Sequence, residues 1–390
     1  MGLKDADTPP DLKLAVCRKA YDESRIESGR EIADLLGSLT TALPDDAVAM
    51  LDWLAAQHPD PDKELWNAAA TDGRPCYGGE ILTHGINTVR GRAAEAIRDL
   101  ILTDAGYIAR FGSTINHLVA DGSLAVRACA ASVLLAVARS DMPLGVRLFQ
   151  RLAQADDRLF TTHYVQQFVY YAIREHFVTL RRLVERMLRS PAPDASEAGA
   201  RFASLAVLLG HDAQTLVDEA MAGSPSQRPG VAEVAAQNIA VEECRTWCDA
   251  NLRRLFSDTD SDVRRKSASF FYHMKGVSWD TYESLLTEFS NSAAYGEGAS
   301  QALLALDDSV SQLPGTTCLM CEEFLTRFGD EARDIRTHRA ADAHLVAKLV
   351  FRTYHQHQRD EWGRRCLDLI DRLCLEAVSD AQGQFEAYER

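Results

Sequence analysis

Apolar residues recur along this chain at three- and four-residue intervals, and no comparable stretch alternates with period two. That rhythm predicts helices and no sheet. Three blocks share more than a rhythm. Val89, Arg90, Ala93, Ala94 and Ile97 have the same spacing as Val126, Arg127, Ala130, Ala131 and Leu134, and as Val263, Arg264, Ser267, Ala268 and Phe271. The common frame is V-R-x-x-small-A-x-x-apolar. Its first, fifth and ninth positions fall on one face of a helix, and the small residues let a neighbouring helix approach closely.

Weaker copies follow the same frame: Val165, Val169 and Ile173; Ala200, Arg201, Ser204, Leu205 and Leu208; Val231, Ala235, Ala236 and Ile239; Gly298, Ala302, Leu303 and Leu306. The copies begin at residues 89, 126, 165, 200, 231, 263 and 298, so the interval is 31 to 39 residues. This suits a two-helix unit with two short turns. Second amphipathic segments lie between frames at 144–152, 179–188, 213–221, 243–256 and 282–289. Breakers separate the segments at Asp141 and Pro143, at 190–193, 224–229 and 313–315. The array is expected to extend back through 47–54 and 32–39 and forward through 318–328, 340–351 and 366–378, where the Val-Arg frame is missing. The expected organisation is helical cap or first repeats over 1–60, a repeat array over 61–350 and capping helices over 351–390.

Composition is ordinary for a globular chain, with 46% hydrophobic and 25% charged residues. No apolar run approaches the ~20 residues of a membrane span, and Asp5, Asp7, Pro9 and Pro10 do not read as a signal segment. A cytoplasmic location without membrane attachment is therefore expected. The net charge of −15 disfavours nucleic acid as a partner. The nine cysteines lack the spacing of a disulfide framework, and Cys129 and Cys374 sit in apolar helical stretches, so they read as reduced core residues.

The turn and helix formed by Ser261, Asp262, Val263, Arg264, Lys266, Ser267 and Ala268 resemble the second helix of a HEAT repeat. The resemblance covers roughly residues 60–350 and implies an all-α fold, an α-α superhelix or HEAT-like solenoid, with armadillo-like arrays as a close alternative. The W-x2-L-G-x2-Y pattern of tetratricopeptide repeats is missing. A second stretch, H-G-I-N-T-V-R-G-R-A-A-E-A-I at 84–97, is similar to the C-terminal helical regions of bacterial NACHT or STAND NTPases, many implicated in phage defence. That likeness implies a ligand-sensing region. No G-x-x-x-x-G-K-[ST] loop is present, so the ATPase itself is not encoded here.

Candidate chemistry is sparse. Cys318 and Cys321 form a C-x-x-C after Pro314 and Gly315, yet neither a preceding strand nor a second ligand pair is visible, so structural cysteines are expected over a metal or redox role. His338, His344, His355 and His357 cluster late in the chain, but His355 and His357 point to different sides of a helix and read as surface residues. Glu175 and His176 make one acid-histidine pair, where HEAT-like iron hydroxylases use several. H-E-x-x-H and G-x-S-x-G are absent.

Arg90, Arg127 and Arg264 recur at one repeat position, with Asp121, Asp258 and Asp262 in nearby turns. They read as a ladder tying each turn to the next repeat, or as a row facing an acidic ligand. The segment 71–80, T-D-G-R-P-C-Y-G-G-E, interrupts the helices and is a candidate recognition loop or a plain connector. Phe160, Tyr164, Phe168, Tyr170 and Tyr171 form an aromatic group, matched by Phe270, Phe271 and Tyr272; Tyr164, Gln167 and Tyr171 share a face that could anchor a partner. The candidate partner-binding residues are therefore Tyr77, Glu80, Asn87, Arg90, Arg92, Arg127, Tyr164, Gln167, Tyr171 and Arg264.

The expected function is a protein- or peptide-binding scaffold or sensor without a cofactor or catalytic site. The competing class is enzymatic, because HEAT-like arrays also support DNA glycosylases and bilin lyases. The first would need a basic groove, which the charge opposes, and the second a tetrapyrrole.

Overall fold

The computed structural model describes residues 8–39, 41–67, 76–309, 313–334 and 336–375. Among the described residues there are twenty α-helices and no strand, so the fold is all-α. None of these helices is long and apolar enough to cross a membrane.

The chain divides into two compact units, Met1–Phe202 and Ala203–Arg390. The first holds α1 (Pro10–Ser24), α2 (Gly29–Gly37), α3 (Asp45–Ala56), α4 (Ile81–Ile86), α5 (Val89–Thr103), α6 (Tyr107–Arg110), α7 (Gly112–Leu118), α8 (Leu124–Ser140), α9 (Met142–Leu152) and α10 (His163–Leu188). Helix α11 (Pro193–Leu208) runs across the division. The second holds α12 (Gln214–Ala222), α13 (Arg228–Asn238), α14 (Arg245–Leu255), α15 (Ser261–Ala268), α16 (Glu283–Asn291), α17 (Ala294–Asp308), α18 (Pro314–Ala332), α19 (His338–His357) and α20 (Glu361–Leu375).

The Val-Arg frame opens helices because a capping residue stands just before it. The Thr88 hydroxyl accepts from Gly91 N at 3.1 Å, Ser123 Oγ from Val126 N at 3.3 Å, and Asp260 Oδ1 from Asp262 N at 2.8 Å. Each satisfies an amide that the first helical turn would leave unpaired. Val89, Val126 and Val263 are all buried, as are the small residues four and five positions on. The breakers act as expected, with Pro143, Pro193, Pro229 and Pro314 all within the first two residues of their helices.

Within the first unit α2 packs on α5, α5 on α8 and α8 on α10, while α3 packs on α5 and α7, and α9 on α8 and α10. Within the second, α13, α15, α17 and α19 pack one on the next, and α14, α16, α18 and α20 do the same alongside. Rungs α14 to α15, α16 to α17 and α18 to α19 join these two rows. One apolar core fills the space between them, with Phe256, Phe270, Phe289, Tyr295 and Phe324 fully buried.

Two elements depart from the sequence reading. The frame at Val165 and the segment 179–188 were expected as separate helices, but α10 is continuous over 26 residues, with a local departure at His176 (φ −119°). No Gly or Pro lies inside it, and Phe168, Ile173, Phe177, Leu180, Val184 and Leu188 keep one buried face throughout. In the third strong frame, α15 stops at Ala268, and Phe271 lies in the 3-10 turn Ser269–His273. Residues 71–75 of the proposed recognition loop and 376–378 of the last predicted segment lie outside the described residues.

Candidate functional site

The frame arginines turn back onto the chain. Arg127 Nε donates to Asp121 O at 2.6 Å and its Nη2 to Ala120 O at 3.2 Å. Arg264 Nη1 donates to Asp258 O and Thr259 O, at 2.8 and 3.1 Å, and its Nη2 reaches Glu297 at 2.8 Å. Arg90 donates to His58 O at 2.9 Å and to Asp121 Oδ1 at 3.2 Å.

The aspartates behind them play one repeated part. Asp121 Oδ1 accepts from Ser123 N, and Asp258 Oδ1 from Asp260 N, at 2.8 and 2.9 Å. Asp121 receives Arg90, and Asp258 receives Arg228 at 2.6 and 3.0 Å. Both carboxylates stand five positions before the frame valine. Other side chains bridge at the same interval: Arg201 to Gln166, Arg253 to Glu288, Arg186 to Ala153 O and Arg327 to Ser292 O, with separations of 33 to 35 residues. Hydrogen bonding thus repeats at the period that the apolar pattern shows.

Several other candidates serve local structure. Glu80 caps α4, accepting from Leu82 N at 3.0 Å and from Thr83 N. Asn87 Nδ2 donates to Thr83 O at 2.7 Å. Tyr77, at φ 55°, stacks on His84 with centroids 5.3 Å apart. Arg92 pairs with Asp34 and Glu95 beside a cleft of about 210 Å³.

Gln167 and Tyr171 are brought together. With Leu135, Ala138, Arg139, Met142 and Phe168 they line a cavity of about 410 Å³ between α8 and α10. Tyr164 lies one turn before Gln167, its hydroxyl accepting from Arg98 Nη1 at 3.3 Å. Burial works against the charge of Arg98, but Asp99 and Glu95 outweigh it and raise its pKa. Tyr171 is 56% exposed, Tyr170 57% and Val178 87%, with charged Arg174 and Glu175 exposed between Tyr171 and Val178. Arg264 belongs to the other unit.

Sequence reasoning missed Arg139 and Val178. Arg139 is exposed on the last turn of α8 and makes no ion pair or hydrogen bond among the described residues. The signal was available: no acid stands three or four positions from it on either side. Val178 follows buried Phe177 by one position and so faces away from the buried stripe of α10.

The other chemical candidates are placed as follows. Cys318 and Cys321 are both buried, and Cys318 Sγ lies 3.7 Å from Cys366 Sγ on α20. His357 pairs with Asp360 at 2.8 Å, and this hydrogen bond holds the Asp360 carboxyl below its usual range. His355 lies beside Tyr354, and His176 sits where α10 departs from helical geometry, next to exposed Glu175. Among the described residues, no group of three or more His, Cys, Asp or Glu side chains could hold a metal ion. No protein-family model and no curated protein sequence matches the chain.

Proposed function

We propose that the chain is a protein-binding scaffold, with the helix pairs of each unit stacked as an α-α superhelix of the HEAT kind, and that the face between α8 and α10 receives a segment of a partner protein. The cavity of about 410 Å³ beside exposed Tyr171 carries this reading. Exposed aromatic residues around a cavity are the usual anchors of protein interfaces, because they bury a large area at low entropic cost. Unpaired Arg139 on the rim adds a preference for carboxylate. The segment bound is accordingly one with an apolar side chain flanked by Asp or Glu.

The stacking part of the proposal draws support from the bonds that recur at 30 to 35 residues, since a bond of fixed separation is what stacked units produce. A displayed library of random peptides tests the binding part. Selected peptides should be acidic, with an apolar anchor, and Tyr171→Ala and Arg139→Glu should each weaken them about tenfold or more. Leu102→Ser, an exposed change on α5, should leave binding unaltered. Peptides that bind equally to native protein, Tyr171→Ala and Arg139→Glu would remove the assignment of this face.

A further inference from the structure

Three cysteines lie together in the core of the second unit. Cys318 and Cys321 stand one turn apart on α18, Cys366 stands on α20, and all three are buried. The Sγ atoms of Cys318 and Cys366 are 3.7 Å apart, across 48 positions of sequence. Cys321, for all its C-x-x-C spacing, makes no thiol-thiol contact among the described residues. The pair that geometry brings together is therefore the one on different helices.

Disulfide sulfurs stand about 2.05 Å apart, so these two must close by roughly 1.6 Å, within reach of a side-chain rotation combined with a slight shift of α20. Helix α20 is placed to make that shift. Its main neighbours are α18 and α19, whereas α18 is held by α16, α17 and α19 as well. Packing closes both thiols to solvent, so they react only when α20 opens locally, an event that costs less than global unfolding. The two thiols are also unequal. The hydrogen bond with Cys366 holds the Cys318 thiol below its ordinary value against burial, Arg365 adds to this, and the same bond pushes Cys366 up. Cys318 is accordingly the nucleophile and Cys366 the resolving thiol.

We infer that Cys318 and Cys366 form an oxidation site, which a peroxide converts reversibly into a disulfide between α18 and α20. The Cys318 sulfur attacks one oxygen of hydrogen peroxide, the O–O bond breaks, and water leaves with a sulfenic acid formed on Cys318. The Cys366 sulfur then attacks that sulfur, the S–O bond breaks, and the oxygen departs as a second water. Two thiols give up two electrons and two protons, and one peroxide becomes two waters. A dithiol reductant reverses the bond through a mixed disulfide. The site uses no residue of the peptide-binding face, so the two proposals stand or fall separately.

The test treats the full chain carrying Cys374→Ser, which removes the exposed thiol, with hydrogen peroxide in native buffer, followed by alkylation and trypsin. Cys366 then lies on peptide 366–372, and Cys318 and Cys321 lie together on 276–327. The expected product is a cross-link of these two peptides that dithiothreitol dissolves, with fragmentation placing it at Cys318. The oxidised chain should melt about 5 °C or more above the reduced one, because the bond closes a long loop. Cys318→Ala and Cys366→Ala, each with an unchanged circular dichroism spectrum, should lose both the link and the rise, and Cys321→Ala should keep both. The inference is overturned by recovery of 366–372 wholly alkylated after peroxide, by a bond between Cys318 and Cys321 in its place, or by a link that folded Cys318→Ala protein retains.

Discussion

Removing the Asp258 carboxylate isolates what the repeated turn contributes. Asp258 and Arg228 are nearly out of solvent, with 9% and 14% of their side chains exposed. Two hydrogen bonds join them, at 2.6 and 3.0 Å, and the same carboxylate holds Asp260 N at 2.9 Å. In Asp258→Ala the guanidinium keeps only Gly223 O, at 3.0 Å, and the amide before α15 loses its acceptor. Breaking a buried pair from one side costs about 3–5 kcal/mol, because the surviving charge is stranded. The retained carbonyl and partial solvent access place the expected loss near the lower end, about 3 kcal/mol. At roughly 2–4 °C per kcal/mol for a unit of this size, the thermal midpoint should fall by about 6–12 °C. Asp258→Asn keeps an acceptor for the amide and should lose about half as much. Arg228→Met in the Asp258→Ala background removes the stranded charge, so the double variant should be more stable than the sum of the two single losses predicts, by ~1 kcal/mol or more. Thermal and urea unfolding followed at 222 nm measure the native protein, Asp258→Ala, Asp258→Asn, Arg228→Met and the double variant. A loss below about 0.5 kcal/mol for Asp258→Ala, or strict additivity in the cycle, would refute the claim that this turn locks one repeat to the next.

Three further outcomes follow from other positions. A Cβ on Gly85 would stand 2.4 Å from Ala125 O and 2.7 Å from Cys129 Sγ, so Gly85→Ala should push α4 off α8 and lower stability by about 1–3 kcal/mol in the same unfolding assays. Burial holds the His84 imidazole below its ordinary value, against the pull of Glu64 and Asp60. The unfolded chain therefore binds the extra proton first, and stability that is complete above about pH 6.5 should decline as the pH falls below it; urea midpoints at pH 7.5 and 5.5 should differ less in His84→Gln. Native thiol labelling should modify exposed Cys374 first. Cys17, raised to about 11 by burial, should react only on unfolding, and mass spectrometry of labelled peptides shows the order.

The legible part of the fold was the part governed by local rules. The prolines punctuate because they lack an amide hydrogen; the caps Thr88, Ser123 and Asp260, equally local signals, went unread until the structure showed them. The burial of Val89, Val126 and Val263 followed from spacing alone. Hidden were the features that depend on what packs opposite. Nothing local distinguishes two helices at 163–188 from one, because the buried face continues without a breaker. The early end of α15 was equally silent, since S-F-F-Y-H at 269–273 has ordinary helical spacing. At the candidate face, Tyr164, Gln167 and Tyr171 were found as neighbours on one helix, whereas Arg139 comes from another helix and needed the packing of α8 on α10 to join them.

The recurrence of arginine directly after the frame valine has an electrostatic explanation that neither propensity nor the amphipathic pattern supplies. A cation in the first turn of a helix faces the positive end of the helix dipole, a penalty of about 0.3–1 kcal/mol. Arg90, Arg127 and Arg264 all stand within the first four residues of their helices, where acids would be favoured. Each reaches back to carbonyls just beyond the end of an earlier helix: His58 after α3, Ala120 and Asp121 after α7, Asp258 and Thr259 after α14. Those carbonyls lie at the negative end of the earlier dipole, and a hydrogen bond from a charged donor is worth about 1.5–3 kcal/mol, more than the local penalty. One side chain thus joins the positive start of one helix to the negative finish of another. The arrangement works only if the neighbouring valine points into the core while the arginine lies along the turn. At each of these turns the pair Val-Arg thus acts as one unit, the valine in the core and the arginine on the carbonyls that follow an earlier helix.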